Sequence, residues 1–251
     1  MKIRVGHLYP EYLNIYADRG NIAVLSKRAA LRRHELVVDP IGLGDDVGPG
    51  KHDLLYIGGG QDREQTLIAP DLAAKGKTLV EAVSGGTALL AVCGGYQLLG
   101  RGYWARDGLF LPGAGLFGHE TVAGTTRMIG DVLLECELVP GERRTIAGFE
   151  NHAGQTTLDA GTEPFGRVLY GFGNDGASGF EGCRLGRAVG TYLHGPLLPR
   201  NPWLADWLLS QALAHATRRE PLELEPLQDE LELVAHRVAS ERARDRGGRG
   251  R

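Results

Sequence analysis

The chain has 251 residues and a formal net charge of −3, with 42% hydrophobic and 24% charged residues. This length fits one large domain or two small ones, and the composition is that of an ordinary soluble globular protein. The slightly acidic balance gives no general attraction to nucleic acid or anionic lipid. No apolar run approaches the ~20 residues that a membrane span needs, and the N-terminus has no signal-peptide pattern. We therefore expect a cytoplasmic protein that neither binds nucleic acid nor inserts into membranes.

The three cysteines, Cys93, Cys136 and Cys183, are odd in number and far apart in the sequence. This spacing argues against a disulfide framework and against a zinc cluster. We therefore expect free thiols in a reducing compartment and no metal site.

Strand and helix patterns alternate along the first hundred residues. Strands are predicted at residues 3–7, 36–39, 53–57 and 88–92, and helices at 21–33, 61–74 and 75–84, broken near Pro70 and Gly76, with another helix starting at 96. Asp18 and Asn21 are candidate N-caps of the first helix. Such alternation predicts a parallel sheet with right-handed crossovers, flanked by helices.

Beyond Gly100 the pattern changes to short strand-like pieces separated by turn residues. They cover residues 109–111, 129–138, 145–149, 167–170, 179–184 and 188–192. We expect this largely antiparallel half to join the parallel half in one mixed, mainly parallel α/β sheet.

A helix over residues 202–216 closes the predicted main domain, residues 1–216. Residues 217–251 are predicted to hold a last amphipathic helix over 222–238, followed by a disordered tail. The tail, residues 242–251, contains five arginines.

Cys93 follows a buried apolar strand and precedes Gly94 and Gly95. The glycines permit a sharp turn into a helix, which would lift the thiol above the sheet at a helix N-terminus. Such a position favours the thiolate and suits a nucleophile. The alternative is a buried structural cysteine, because free cysteines are often core residues.

Three glycines at 58–60 directly follow another predicted strand, so their amides can point into a crevice. A tight turn is the alternative, and the spacings of the dinucleotide and Walker motifs are absent. His194 ends the last predicted strand, where a purely structural role is equally common. Because the carboxyl ends of parallel strands gather at one sheet edge, Cys93, His194 and the glycines can converge there.

This convergence meets the requirements of acyl transfer through a thioester. His194 would take the thiol proton of Cys93 and later deliver a proton to the leaving amine. The amides of Gly94 and Gly60 would hold the oxyanion.

Four motifs occur in the order of a known family. They are Tyr-Ile-Gly-Gly-Gly-Gln-Asp (56–62), Ala-Val-Cys-Gly-Gly-Tyr-Gln-Leu-Leu-Gly (91–100), Gly-Phe-Glu-Asn-His-Ala-Gly-Gln-Thr (148–156) and Gly-Thr-Tyr-Leu-His-Gly-Pro (190–196). With them, over about residues 3–216, the chain resembles the class I glutamine amidotransferases of the cobyric-acid-synthase type. The segments 16–21 and 193–202 bring it nearest to the glutaminase subunits of lipid II isoglutaminyl synthases.

The resemblance implies a flavodoxin-like amidotransferase fold in which Cys93 attacks the side-chain amide of free glutamine and His194 serves as base and acid. It also implies that Arg127 clamps the α-carboxylate of the substrate, a role that suits a guanidinium. A solvated strand arginine is the alternative.

The resemblance further implies a heterodimer with a MurT-like Mur ligase subunit. That partner would hold ATP and Mg²⁺ and amidate D-glutamate in the lipid II stem peptide of peptidoglycan. This subunit itself is expected to carry no cofactor.

One position departs from the family pattern, in which a glutamate usually follows the histidine by two residues. Here Pro196 stands there, so either a Cys–His dyad suffices or a carboxylate of the partner completes the triad. Three other functions remain open at this point. They are an amidotransferase for another acceptor such as a cobyrinate-type substrate, a Cys–His peptidase, and a catalytically silent scaffold subunit.

Overall fold

The structure is a computed structural model that describes residues 1–14 and 19–247. The strands are β1 (Lys2–Leu8), β2 (Glu35–Ile41), β3 (Leu54–Ile57), β4 (Ala88–Val92), β5 (Gly102–Trp104), β6 (Phe110–Pro112), β7 (His119–Val139), β8 (Glu142–Leu158), β9 (Gly166–Tyr170), β10 (Phe180–Glu181), β11 (Cys183–Leu185) and β12 (Ala188–Thr191). The helices are α1 (Arg19–Leu31), α2 (Asp62–Ala74), α3 (Gly76–Ser84), α4 (Gly94–Leu99), α5 (Pro202–Thr217) and α6 (Glu230–Gly247), with a 3₁₀ turn at Leu198–Arg200.

The first sheet has the strand order β11-β12-β4-β3-β1-β2. Its neighbours pair in parallel, except for β11, which runs antiparallel to β12 at one edge. Every residue of β3 and β4 is buried. Continuous apolar runs of this kind are typical of central strands in a parallel sheet that is covered on both faces. The predicted α/β class with a mainly parallel central sheet is confirmed.

The antiparallel half forms a second sheet instead of extending the first. Its strand order is β10-β9-β7-β5-β6, and β8 pairs with β7. The prediction of one mixed sheet was therefore wrong. The strands β7 and β8 are also longer than predicted. Exposed and buried residues alternate along their outer parts, so no continuous apolar run marks these parts in the sequence, and the prediction missed them.

Two details near the helices differ from the predictions. The helix α2 continues through Pro70 and ends at Ala74, so the predicted break at Pro70 is absent from this described helix. Asn21 is a buried residue inside α1, where its side chain accepts a hydrogen bond from the Leu198 N–H (2.9 Å) and donates one to the Tyr56 hydroxyl (3.2 Å). It therefore ties α1 to the core and does not cap the helix. The other candidate cap, Asp18, lies outside the described residues.

The C-terminal helix α6 begins later and ends later than predicted. It includes residues 242–247 of the predicted disordered tail, while 248–251 lie outside the described residues. Ala239 and Ala243 of α6 pack against Leu133 of β7 and Ala147 of β8. Two alanines four residues apart let a helix lie close to a sheet, while the arginines at 242 and 244 face solvent. The prediction of disorder for residues 242–247, which rested on their arginine content, was therefore wrong.

A buried arginine connects α1 with the C-terminal part of the chain. The Arg28 guanidinium is 4% exposed and donates to both carboxylate oxygens of Asp206 (2.7 Å) and of Asp229 (2.6 and 2.9 Å). Such bidentate pairs are the stronger class of charged hydrogen bonds.

Among the described helices, none combines the length and the apolar character that crossing a membrane requires.

Candidate active site

Three neighbouring parallel strands end at one edge of the first sheet. In register, Thr191 of β12 lies beside Val92 of β4, and Ile57 of β3 lies beside Ala91 of β4. The residue after β4 is Cys93, the residues after β3 are the glycines 58–60, and His194 follows β12 by three residues. The topology thus brings the predicted nucleophile, base and oxyanion glycines to adjacent strand ends.

The backbone at Cys93 forms a strained elbow between β4 and α4. Its φ is +47° and its ψ is −107°, a conformation that non-glycine residues rarely adopt. The Cys93 N–H donates to the Thr191 carbonyl (2.7 Å), and the Cys93 carbonyl accepts the Gln97 N–H (2.9 Å). The following residue but one, Gly95, donates its N–H to the Gly58 carbonyl (3.2 Å). The elbow is therefore held from both neighbouring strands.

The other two cysteines have the properties of structural core thiols. Burial raises the pKa of the Cys136 thiol to about 12 and holds the pKa of Cys183 well above its usual value. Both remain protonated near neutral pH, whereas the thiolate is the reactive form of cysteine. Cys93 is the cysteine that stands at the elbow, with 8% of its surface exposed.

His194 is 1% exposed and is fixed by its backbone to the second sheet. Its N–H donates to the Phe149 carbonyl (2.7 Å), which forms an isolated bridge between the segment after β12 and β8. The stretch that starts at Phe149 is part of β8. In the same stretch, the His152 ring stacks on the Tyr192 ring, with centroids 3.5 Å apart. The second sheet therefore buttresses the segment that carries the predicted base.

The two predicted oxyanion glycines approach each other closely. A Cβ on Gly94 would lie 3.0 Å from the Gly60 nitrogen, and a Cβ on Gly60 would lie 2.2 Å from the Leu13 side chain. Within the described part of the chain, neither amide donates to a main-chain carbonyl of a turn or loop. A larger residue at Gly60 would displace the Leu13 side chain, and one at Gly94 would press on the Gln65 side chain and the Gly60 nitrogen, so the packing favours glycine at both positions.

Arg127 lies on β7 with its side chain exposed. Its Nε donates to the Asn151 side-chain oxygen over 2.6 Å. Asn151 is two residues from Phe149, whose carbonyl binds the His194 N–H. The arginine is thereby linked through β8 to the strand-end residues.

Two buried polar residues at the site, Gln65 and Glu181, were not predicted from the sequence. Gln65 of α2 is 2% exposed and donates to the Gly60 carbonyl, and Glu181 is 0% exposed and accepts hydrogen bonds from Thr191 and from the Tyr192 N–H. Burial raises the pKa of Glu181 to about 8. The signal for Gln65 was its place on an otherwise apolar helix face with Ile68, Ala69 and Leu72.

Residues 4–202 match the family described as the CobB/CobQ-like glutamine amidotransferase domain, and the chain belongs to that family. It is therefore a glutamine amidotransferase, an enzyme that takes nitrogen from the side chain of glutamine.

The chain is similar to the same enzyme subunit from two bacteria. It is 37% identical to the lipid II isoglutaminyl synthase (glutamine-hydrolyzing) subunit GatD of Staphylococcus aureus (strain N315), over 96% of both chains. It is 39% identical to the GatD subunit of Streptococcus pneumoniae (strain ATCC BAA-255 / R6), over 84% of this chain and 81% of that one.

Among solved structures, PurLQS from Thermotoga maritima has a similar fold, with a TM-score of 0.58. The identity is 14%, over 87% of this chain and 99% of that chain. A likeness at this identity concerns the fold alone.

Proposed function

We propose that this chain is the glutaminase subunit of a lipid II isoglutaminyl synthase. It hydrolyses glutamine through a thioester on Cys93 and delivers ammonia to a MurT-like ligase subunit. The observation that carries the proposal is the meeting of Cys93, His194 and the glycines 58–60 at the ends of three adjacent parallel strands.

The reaction follows from the roles of these groups. His194 removes the thiol proton, and the Cys93 sulfur attacks the side-chain carbonyl carbon of glutamine. The negative charge on the carbonyl oxygen is stabilised by the amides of Gly60 and Gly94. His194 then returns a proton to the nitrogen, ammonia leaves, and water attacks the thioester with His194 as base, which releases glutamate. Arg127 holds the α-carboxylate of glutamine.

The partner and acceptor are inferred from the relatives. Both GatD relatives are named as subunits, and the S. aureus subunit and this chain cover each other over 96% of their lengths. The MurT-like partner would bind ATP and Mg²⁺, activate the α-carboxyl of D-glutamate in the lipid II stem peptide, and receive the ammonia. This chain needs no cofactor for its half of the reaction.

The test is ammonia and glutamate release from glutamine by the full chain, with and without the MurT-like subunit. Wild type should be active and Cys93→Ser inactive, while Cys136→Ser, a change of a buried core thiol, serves as the control. Product analysis with lipid II and ATP should show amidated D-glutamate. Glutamine hydrolysis without amidation of lipid II would favour another acceptor, such as a cobyrinate-type substrate.

A glutamine-like electrophile distinguishes the remaining alternatives. Labelling at Cys93, blocked by excess glutamine, supports an amidotransferase. Labelling that glutamine does not block would favour a peptidase, and normal partner binding without labelling would favour a scaffold.

The position two residues after His194, where the family usually has a glutamate, is occupied by Pro196. We propose that a carboxylate of the MurT-like subunit orients His194, because Pro196 cannot. Turnover of glutamine should then rise when the partner is added. Full turnover by the isolated chain, unchanged by the partner, would contradict this coupling.

A further inference from the structure

Gln65 lies between the two glycines whose amides form the proposed oxyanion site. Its Nε2 donates to the Gly60 carbonyl over 3.2 Å. The same Nε2 lies 2.9 Å from the position that a Cβ on Gly94 would take. One side-chain amide therefore touches both glycines, one through a hydrogen bond and the other through packing.

The helix α2 holds Gln65 in this place. Its buried face consists of Gln65, Ile68, Ala69 and Leu72, which have the spacing of one side of a helix. The three apolar residues pack in the core. Gln65 is the polar residue of this face and comes first along the helix, next to the glycine loop that follows β3. The Gln65 N–H also donates to the Gln61 carbonyl (3.0 Å). The side chain thus starts from a rigid helix and reaches into the glycine loop.

The oxygen of the same side chain is unsatisfied. Gln65 Oε1 is buried and accepts no hydrogen bond from the residues that the structure describes. A buried acceptor without a donor lowers stability, and a leucine of similar size would avoid this loss. A leucine would, however, leave the buried Gly60 carbonyl without the donor that Gln65 supplies, so the two effects on stability oppose each other. What distinguishes glutamine from leucine at this position is the hydrogen bond from Nε2 to the Gly60 carbonyl.

We propose that Gln65 is a positioning residue for the oxyanion site, an inference that rests on the proposed glutaminase function. Glycine rotates freely about its backbone bonds, so the Gly60 amide needs external restraint. Leu13 packs against one side of Gly60, and Gln65 holds its carbonyl. The Gly60 carbonyl and N–H lie in successive peptide planes that meet at its Cα, so a fixed carbonyl limits the rotation that can displace the N–H. Without Gln65 this limit is lost, and the Gly60 N–H is less well aimed at the oxygen on which negative charge develops.

The test is Gln65→Leu in the full chain, assayed with the MurT-like subunit, with Leu67→Gln on the exposed side of α2 as the matched control. We expect kcat for glutamine hydrolysis to fall about 10- to 100-fold with little change in KM, which is somewhat less than direct removal of an oxyanion donor. The melting temperature should change little, because removal of the unsatisfied Oε1 offsets the loss of the donor to the Gly60 carbonyl. Gln65→Met, which has a similar shape and no donor or charge, should lose activity similarly and replaces Gln65→Leu if that variant does not fold.

Alkylation of Cys93 by iodoacetamide separates a misplaced oxyanion site from a damaged nucleophile. The thiolate sulfur forms a bond to carbon as iodide leaves, so no charge develops on a carbonyl oxygen. Gln65→Leu should be alkylated at the wild-type rate.

Unchanged kcat in Gln65→Leu, or alkylation that slows as much as kcat, would overturn the inference while the proposed function stands. Absence of glutamine hydrolysis by wild type, alone and with the ligase, would instead remove the proposed function and this inference with it.

Discussion

The main-chain N–H of Cys93 donates a hydrogen bond to the carbonyl oxygen of Thr191 over 2.7 Å. This bond joins the end of β4 to the end of β12, the strand that leads to His194. The separation of the proposed nucleophile and base is therefore set by backbone pairing between adjacent strands. Substitutions of the Cys93 side chain keep this main-chain hydrogen bond. Their effects therefore report on the thiol chemistry and on the backbone strain at Cys93, and not on the pairing of β4 with β12.

The positive φ of Cys93 predicts an unusual order of stabilities. A non-glycine residue in such a conformation costs about 1–3 kcal/mol, whereas glycine adopts it readily at a smaller entropic cost. Cys93→Gly should therefore unfold with a free energy about 1 kcal/mol higher than that of Cys93→Ala, while both variants are inactive. Urea unfolding of the two proteins measures this difference. Equal stabilities, or a more stable alanine variant, would show that the elbow is not strained.

Gly60→Ala should reduce catalysis because the new Cβ would lie 2.2 Å from a methyl group of Leu13, a fully buried side chain with little room to move, so that the loop has to adjust. We expect kcat for glutamine to fall about 100-fold or more, as for the loss of one oxyanion donor. Gly130→Ala in β7 is the matched control, since a Cβ there meets no atom within 4 Å and its φ is not positive. Similar kcat values for both variants would argue against Gly60 as an oxyanion residue.

Arg127→Ala should weaken glutamine binding more than it slows chemistry. Loss of a charged hydrogen-bonding pair costs about 1.5–3 kcal/mol, so KM should rise about 10- to 100-fold with a smaller change in kcat. Arg143 is also exposed but lies near the turn between β7 and β8, so Arg143→Ala should leave KM unchanged. Steady-state kinetics decide the matter, and a normal KM in Arg127→Ala would mean that the arginine is a solvated strand residue.

Glu181 predicts a particular pH dependence of stability. Burial, with a smaller contribution from the nearby Glu150, raises the pKa of its carboxyl from 4.5 to about 8 in the folded chain. Between these pH values unfolding releases a proton, so the contribution of Glu181 is fully present below about pH 4.5 and is lost as the pH rises through 8. Wild type should therefore lose more unfolding free energy between pH 5 and 8 than Glu181→Gln, measured by denaturant titration. Parallel profiles for the two proteins would contradict this.

Local sequence patterns predicted the parallel sheet well because its central strands are continuous apolar runs. β3 and β4 are buried along their whole length, and each is followed directly by the residues of the candidate site. The order of strands in space places the residues that follow β4 and β12, Cys93 and His194 among them, at one edge of the sheet.

Other features depend on contacts between distant segments, which a local pattern does not contain. The separation into two sheets follows from the pairing of β7 with β8 and β9, not from any single strand. The helical state of residues 242–247 depends on the packing of Ala239 and Ala243 against the second sheet. The same holds for Gln65: its hydrogen bond to the Gly60 carbonyl depends on how α2 packs against the glycine loop, which the local sequence does not show.

The ion pair between Arg28 and Asp229 joins residues that are 201 positions apart. During synthesis on the ribosome, α1 emerges long before this carboxylate exists, and Asp206 comes little sooner. A guanidinium that is buried in the finished protein must stay hydrated, or be shielded by other molecules, until almost the whole chain has been released. The final closure of this corner is therefore a post-translational event, and a chain that is cut short before residue 229 leaves the first helix with an incompletely neutralised charge.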